Sequence, residues 1–247
     1  MEMIRTVAKA WNIPDIRKKI IFTLVMLLIF RIGSQIPVPG IDRDILAQTF
    51  DSGTGLFALF NLFSGGAFSN FTIFALSITP YITASIILQL LTIAVPSLER
   101  LAKEGTEGRK KIAQYTRYMT VILAIIQAIG VSVGLFRQAL ISTSFFDVAV
   151  IVLVLTAGTA FLMWLGEQIN EYGIGNGISL IIFAGIVSRL PSAVQEIWTK
   201  LQDGSMSIVT LIIFLIFCVL VIVGIIEVQQ GQRRIPVQYA KRVVGRK

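Results

Sequence analysis

The chain has 247 residues, of which 22 are basic and 14 acidic, with no histidine and a single cysteine, Cys218. A mean hydropathy of +0.78 and a charged fraction of 15% exclude an ordinary water-soluble domain, whose charged share is roughly 25%. The absence of imidazole and of a second thiol excludes a disulfide framework, Cys/His zinc sites and histidine-dependent nucleophilic catalysis.

In chain order, six apolar runs approach the roughly 20 residues that cross a hydrocarbon core as a helix. They cover 19–35, 72–95, 118–136, 148–165, 175–194 and 207–226. These predict an all-α polytopic membrane protein with six transmembrane helices. The first run follows a basic segment, as a signal peptide does. It continues through Phe30-Arg31-Ile32-Gly33 with no small-residue cleavage site, so it reads as a retained span. Pro37, Pro39 and Pro96 mark span exits, because proline cannot donate into a continuing helix.

Lysine and arginine concentrate before the first run, between the second and third, and after the sixth. The positive-inside rule therefore places these three segments, and both termini of the chain, in the cytoplasm. The spans carry almost no ionisable group. Arg31 is the exception, near enough to a helix end to snorkel. Pumps and ion-coupled carriers place charge at midplane, so the pattern favours a passive conduit or a scaffold.

No charged residue occurs from Ser52 to Leu98, yet the stretch is interrupted by Ser64, Gly65, Gly66, Ser69 and Asn70. Residues 56–63 make about two helical turns, roughly 12 Å at 1.5 Å per residue, too short to cross a bilayer. Glycines at 65 and 66 permit a sharp reversal. Such a segment is either buried in protein at membrane depth or an amphipathic helix on the surface, and composition alone leaves both open. Further on, Ile78 and Ile82 lie four apart on one helix face. Pro80 between them is expected to bend that helix. Facing a lumen, the two isoleucines would form a constriction that resists wetting; the plainer reading is ordinary helix packing. In the tail, Ile235, Val237 and Tyr239 alternate with Pro236, Gln238 and Ala240, as in a short extended strand.

Six segments together, FRIGSQIPVPG (30–40), FNLFSGGAFSNFTIFAL (60–76), ITPYITASIILQLL (78–91), KEGTEGRKKIAQYTRY (103–118), FLMWLGEQINEYGIGNGISLIIFAGIV (161–187) and GQRRIPVQYAKR (231–242), resemble bacterial members of the SecY family. That resemblance implies a helical bundle of two five-helix halves closing around an hourglass pore. This chain would supply spans one to five in residues 1–187. An external hinge would follow in 188–206, then span six and the start of a cytoplasmic loop in 207–247. Residues 56–70 would be the plug, with Leu56, Phe57, Leu59, Phe60, Asn61, Leu62, Phe63, Ser64, Gly65, Gly66 and Asn70 as its members. Ile78, Ile82 and Ile182 would belong to the pore ring, and spans two and three to one side of a lateral gate.

The resemblance further implies a protein-conducting channel in the inner (plasma) membrane, without catalytic residues, metal or cofactor. Its partners would be the SecE and SecG subunits, the SecA motor ATPase, the ribosome, a secretory polypeptide and the lipid bilayer. Arg233, Arg234, Lys241, Arg242, Arg246 and Lys247, with Arg109, Lys110 and Lys111, would meet ribosomal RNA phosphates or SecA. Plain anchoring beside anionic lipid is the alternative use of the same charge. The competing functions are a small-solute carrier and a non-conducting scaffold. The Gly-rich run 173–179 follows no strand and precedes no P-loop lysine, so it reads as a cytoplasmic turn opening span five rather than a nucleotide site.

Overall fold

A computed structural model describes residues 13–42, 45–46, 61, 64–142 and 144–232. Among them all regular structure is helical, with two isolated antiparallel bridges, Pro37 to Thr72 and Ile41 to Leu140. Helix α1 spans Pro14–Gly33, α2 Thr79–Ala94, α3 Pro96–Lys103 and α4 Thr106–Ile129. A π-helical turn, Gly130–Leu135, and a 3₁₀ turn, Arg137–Ala139, end α4. Then come α5 (Phe145–Tyr172), α6 (Gly177–Val187), α7 (Leu190–Gln202) and α8 (Ile208–Gln230).

The chain forms two compact units, residues 1–191 and 192–247. In the first, α5 is the hub and packs against α1, α2, α4 and α6, while α2 also packs on α4. Close approach rests on small residues rather than on hydrophobicity, which gives no preference for protein over lipid. The buried stripe of α4 is Thr116, Thr120, Ala124 and Ala128, at a spacing of four. A Cβ on Gly177 of α6 would lie 2.1 Å from the Gly166 carbonyl oxygen of α5, so this crossing admits only glycine. In the second unit, α8 is apolar along its length and buries no residue.

Four helices are long and apolar enough to cross a membrane, or five if α2 and α3, bent by 101° at Val95, count as one. The six expected spans differ from this for two physical reasons. Helix α1 carries Arg17, Lys18 and Lys19 near its start and Arg31 in its last turn, which leaves a shorter uncharged stretch between them. The second span starts at Thr79 rather than Thr72, because 72–78 is not helical. Pro80 consequently sits in the first turn of α2, where its missing N–H costs nothing, and does not bend the helix as expected. The bend falls at Pro96, expected as an exit.

The third span extends back to Thr106, because residues 106–117 continue the helix as a polar extension. The fifth counts as one span over Gly177–Gln202, with a turn at Ser188 and Arg189 between α6 and α7.

Candidate functional site

The distinctive feature of the first unit is an irregular segment, residues 64–78, that lies in its interior. Ser64, Ala67, Phe68, Phe71, Thr72, Phe74, Ala75, Leu76, Ser77 and Ile78 are all buried. Backbone that is not helical at such depth must find its partners inside the protein, and it does. The Ala67 N–H donates to the Ser64 carbonyl, Thr72 N–H to the Ala67 carbonyl at 2.9 Å, and Ser77 N–H to the Phe74 carbonyl at 2.8 Å. Side chains supply the rest: Ser64 Oγ accepts from Phe68 N–H at 3.0 Å, and Asn61 Oδ1 from Ser69 N–H at 3.1 Å. Two bonds tie the segment to the chain leaving α1, Val38 N–H to the Phe71 carbonyl and Ile73 N–H to the Ile36 carbonyl, each 3.0 Å.

Glycines make the fit. Gly65 and Gly66 have φ of +64° and +91°, and a Cβ on Gly65 would lie 2.9 Å from the Gly185 Cα of α6. A Cβ on Gly158 of α5 would lie 1.9 Å from the Ile73 carbonyl oxygen, and one on Gly33 of α1 2.1 Å from the Phe74 ring. Phe71 and Ser77 adopt φ of 43° and 53°, a region other residues seldom enter, so the enclosure stores backbone strain here.

Two apolar clusters hold the segment. One gathers Phe68, Phe71, Ala75 and Leu76 with Phe136, Ala139, Ile151 and Leu155; Phe136 meets Phe68 and Phe71 edge-on at 5.5 and 5.4 Å. The other gathers Ala67, Phe74 and Ile78 with Phe30, Leu162, Leu165, Ile169 and Ile181. The Phe74 ring stacks between Phe30 and Phe161 at about 6 Å on either side.

The structure brings the three sequence-predicted ring residues to one place. Ile78 is 1% exposed within the second cluster, and Ile82 and Ile182 are half-buried against it. Of the plug residues, Asn61, Ser64, Gly65, Gly66 and Asn70 are described. The first is helical and the others form the turn, with Ser64, Gly65 and Gly66 buried and Asn70 exposed. Leu56, Phe57, Leu59, Phe60, Leu62 and Phe63 lie outside the described residues. So do Arg233, Arg234, Lys241, Arg242, Arg246 and Lys247, and with them the expected strand at 235–240.

Arg109, Lys110 and Lys111 are exposed on the first turns of α4. They are held by a tight α3–α4 reversal, where a Cβ on Gly108 would lie 1.7 Å from the Leu101 carbonyl oxygen. Lys110 pairs with Glu107 at 3.0 Å, and Arg109 and Lys111 have no ion pair among the described residues.

The Gly-rich run is a capping turn. Asn176 Oδ1 accepts from Ser179 N–H at 3.1 Å, Asn170 Oδ1 from Gly177 N–H at 2.8 Å, and Gly175 has φ +79°. Among the described residues no three His, Cys, Asp or Glu side chains come together to hold a metal.

Two features escape sequence reasoning. Arg117 Nε donates to Glu167 Oε1 at 2.8 Å, joining α4 to α5 across 50 positions. Arg31 and Arg189 both reach the turn: Arg31 Nη1 donates to the Gly65 carbonyl at 3.2 Å, and Arg189 Nη2 reaches Ser69 Oγ at 3.5 Å. Arg31 was visible as an in-span charge, but its partner 34 residues away had no sequence signal.

A bundle of apolar helices enclosing an irregular, strained segment defines a polytopic α-helical membrane protein. A family model described as SecY matches residues 72–247. The protein translocase subunit SecY of Halalkalibacterium halodurans is 51% identical over 253 residues, covering 99% of this chain and 58% of that protein. Among solved structures, Sec61 in the canine ribosome-channel complex from the endoplasmic reticulum has TM-score 0.63 at 21% identity, over 90% of this chain and 50% of its own. A SecY structure described by its plug domain, which stabilises the closed state of the translocation channel and maintains a membrane seal, has TM-score 0.59 at 21% identity. It covers 85% of this chain and 47% of its own. The chain belongs to the SecY family, and it spans a little over half the length of the curated relatives it matches.

Proposed function

We propose that this chain forms the first half of a protein-conducting channel, with no chemistry of its own. It passes unfolded secretory polypeptides across the inner membrane and releases apolar segments sideways into lipid. The observation that carries this reading is the buried turn at 64–78. A scaffold has no use for strained, non-helical backbone in its interior, whereas a seal that must leave its seat has. In this reading residues 56–70 are the plug, Ile78, Ile82 and Ile182 line the constriction beneath it, and 188–206 is the hinge. Because Ala67 shares a cluster with Ile78, withdrawing the plug uncovers the isoleucine in the same movement. SecE and SecG complete the complex. SecA or the ribosome supplies the driving force, docking on the exposed Arg109, Lys110 and Lys111 and on the basic tail. Both ends of the chain then face the cytoplasm.

The test is crosslinking in the assembled translocase. Cys218 is replaced by serine, a single cysteine is placed at Ile78 or Ile82, and a secretory precursor carrying one cysteine is stalled midway. The reading expects disulfides at both positions and none at Ile126→Cys, on the exposed face of α4. Silence at both isoleucines while translocation proceeds would leave them as packing residues and remove the constriction.

A further inference from the structure

Among the described residues, Arg31 and Arg189 are the two charges that reach the turn. Arg31 stands in the last turn of α1 and Arg189 just past the end of α6. Their guanidinium groups meet consecutive residues: Arg31 Nη1 bonds the Gly65 carbonyl, and a Cβ on Gly66 would lie 2.9 Å from Arg189 Nη2. Both side chains are partly buried, and the two positive charges repel one another.

Neither has a carboxylate within ion-pair distance among the described residues. A guanidinium offers five N–H donors in a fixed fork. Between them the two groups make one bond of 3.2 Å and two at the 3.5 Å limit, to Ser34 Oγ and Ser69 Oγ. Among the described residues most of the donors are therefore unused, and two like charges share a partly buried site without a counter-charge. A tetrahedral oxyanion answers both deficits, since each fork can take two of its oxygens.

We infer that Arg31 and Arg189 form a two-guanidinium receptor for a single phosphate group at the Gly65–Ser69 turn. The site lies where α1 ends and where α6 turns into α7; an anionic lipid headgroup and free phosphate carry the same oxyanion and are its two sources. Occupancy cancels the repulsion and fastens both helix ends to the turn. The site does not depend on what the bundle conducts.

The test is native mass spectrometry of the assembled full-length translocase released from nanodiscs of phosphatidylcholine, with and without phosphatidylglycerol. A third arm titrates inorganic phosphate into the phosphatidylcholine sample. The wild type is expected to retain one more phosphatidylglycerol than R31Q/R189Q, with each single variant roughly tenfold weaker. K200Q, which removes an ammonium already paired with Glu196 at 2.6 Å, should retain the wild-type number. Retention confined to the inorganic-phosphate arm identifies the free ion as the source and supports the receptor equally. If R31Q fails to assemble, R31K and R189K keep the charge but lose the fork, and their weakened retention carries the same conclusion. Equal retention by wild type and the arginine variants in every arm overturns the proposal.

Discussion

Helix α8 and the segment 64–78 are opposites. The helix is regular, apolar at nearly every position and exposed along its length. The segment is irregular, interrupted by serine, glycine and threonine, and buried almost throughout. In water the more apolar element would be the core. In a membrane, lipid solvates leucine as well as protein does, so hydropathy reports on the bilayer, and burial follows backbone need and small side chains. Of these two elements, the interior belongs to the less apolar one.

The comparison breaks most easily at glycine. Gly158→Val is expected to destabilise by about 3 kcal/mol or more, because its Cβ would strike the Ile73 carbonyl and overpacking alone costs about 1–3 kcal/mol. Gly224→Ala in α8, with nothing within 4 Å, is expected to be neutral or slightly stabilising. Thermal unfolding in detergent separates the two, and equal losses would end the contrast. Removing an aromatic ring sharpens it. Phe136→Ala should cost about 3–5 kcal/mol, since Phe136 joins Phe68 and Phe71. Phe214→Ala, half exposed in α8, should cost well under 1 kcal/mol by the same assay.

Gly65→Ala should cost about 2 kcal/mol, combining a left-handed φ with contact against Gly185. The direct check is faster disulfide trapping of a cysteine placed at Ser69 by a soluble thiol reagent. The smallest effect is expected at Arg117→Gln. The pair with Glu167 is half exposed, so its loss should shift stability by under about 1 kcal/mol and less still at high salt. A larger, salt-independent loss would mean that Arg117 holds the α4–α5 contact by packing rather than by its charge.

Much of this was legible beforehand. Apolar runs found the helices, and the break at Ser64 to Asn70 marked a turn, while the short helix expected over 56–63 lies outside the described residues except for Asn61. The family resemblance carried the fold. What misled was the edge of that stretch. Thr72 to Ile78 has the composition of a helix start, and only Gly33 and Gly158, far away in sequence, let its backbone fold irregularly between α1 and α5. Pro80 reads as a bend only in a helix that starts at Thr72, seven residues before the observed start at Thr79. The α2–α3 turn, the arginine pair and the Arg117–Glu167 link depend on where helices end in space, which periodicity does not encode. Of the expected site residues, the three isoleucines do gather at one cluster, and which face of it a passing chain meets is the object of the crosslinking test.

Among the described residues, the seam between the chain leaving α1 and the irregular segment is two backbone bonds wide, Val38 to Phe71 and Ile73 to Ile36. A helix yields its amides turn by turn and only with its neighbours, but a two-bond ladder opens as a unit. In hydrogen exchange the amides of Val38 and Ile73 should therefore lose protection together, at a rate set by this one opening. They should do so well before the α5 amides beside them, giving a clock for departure of the segment while the helices stay folded.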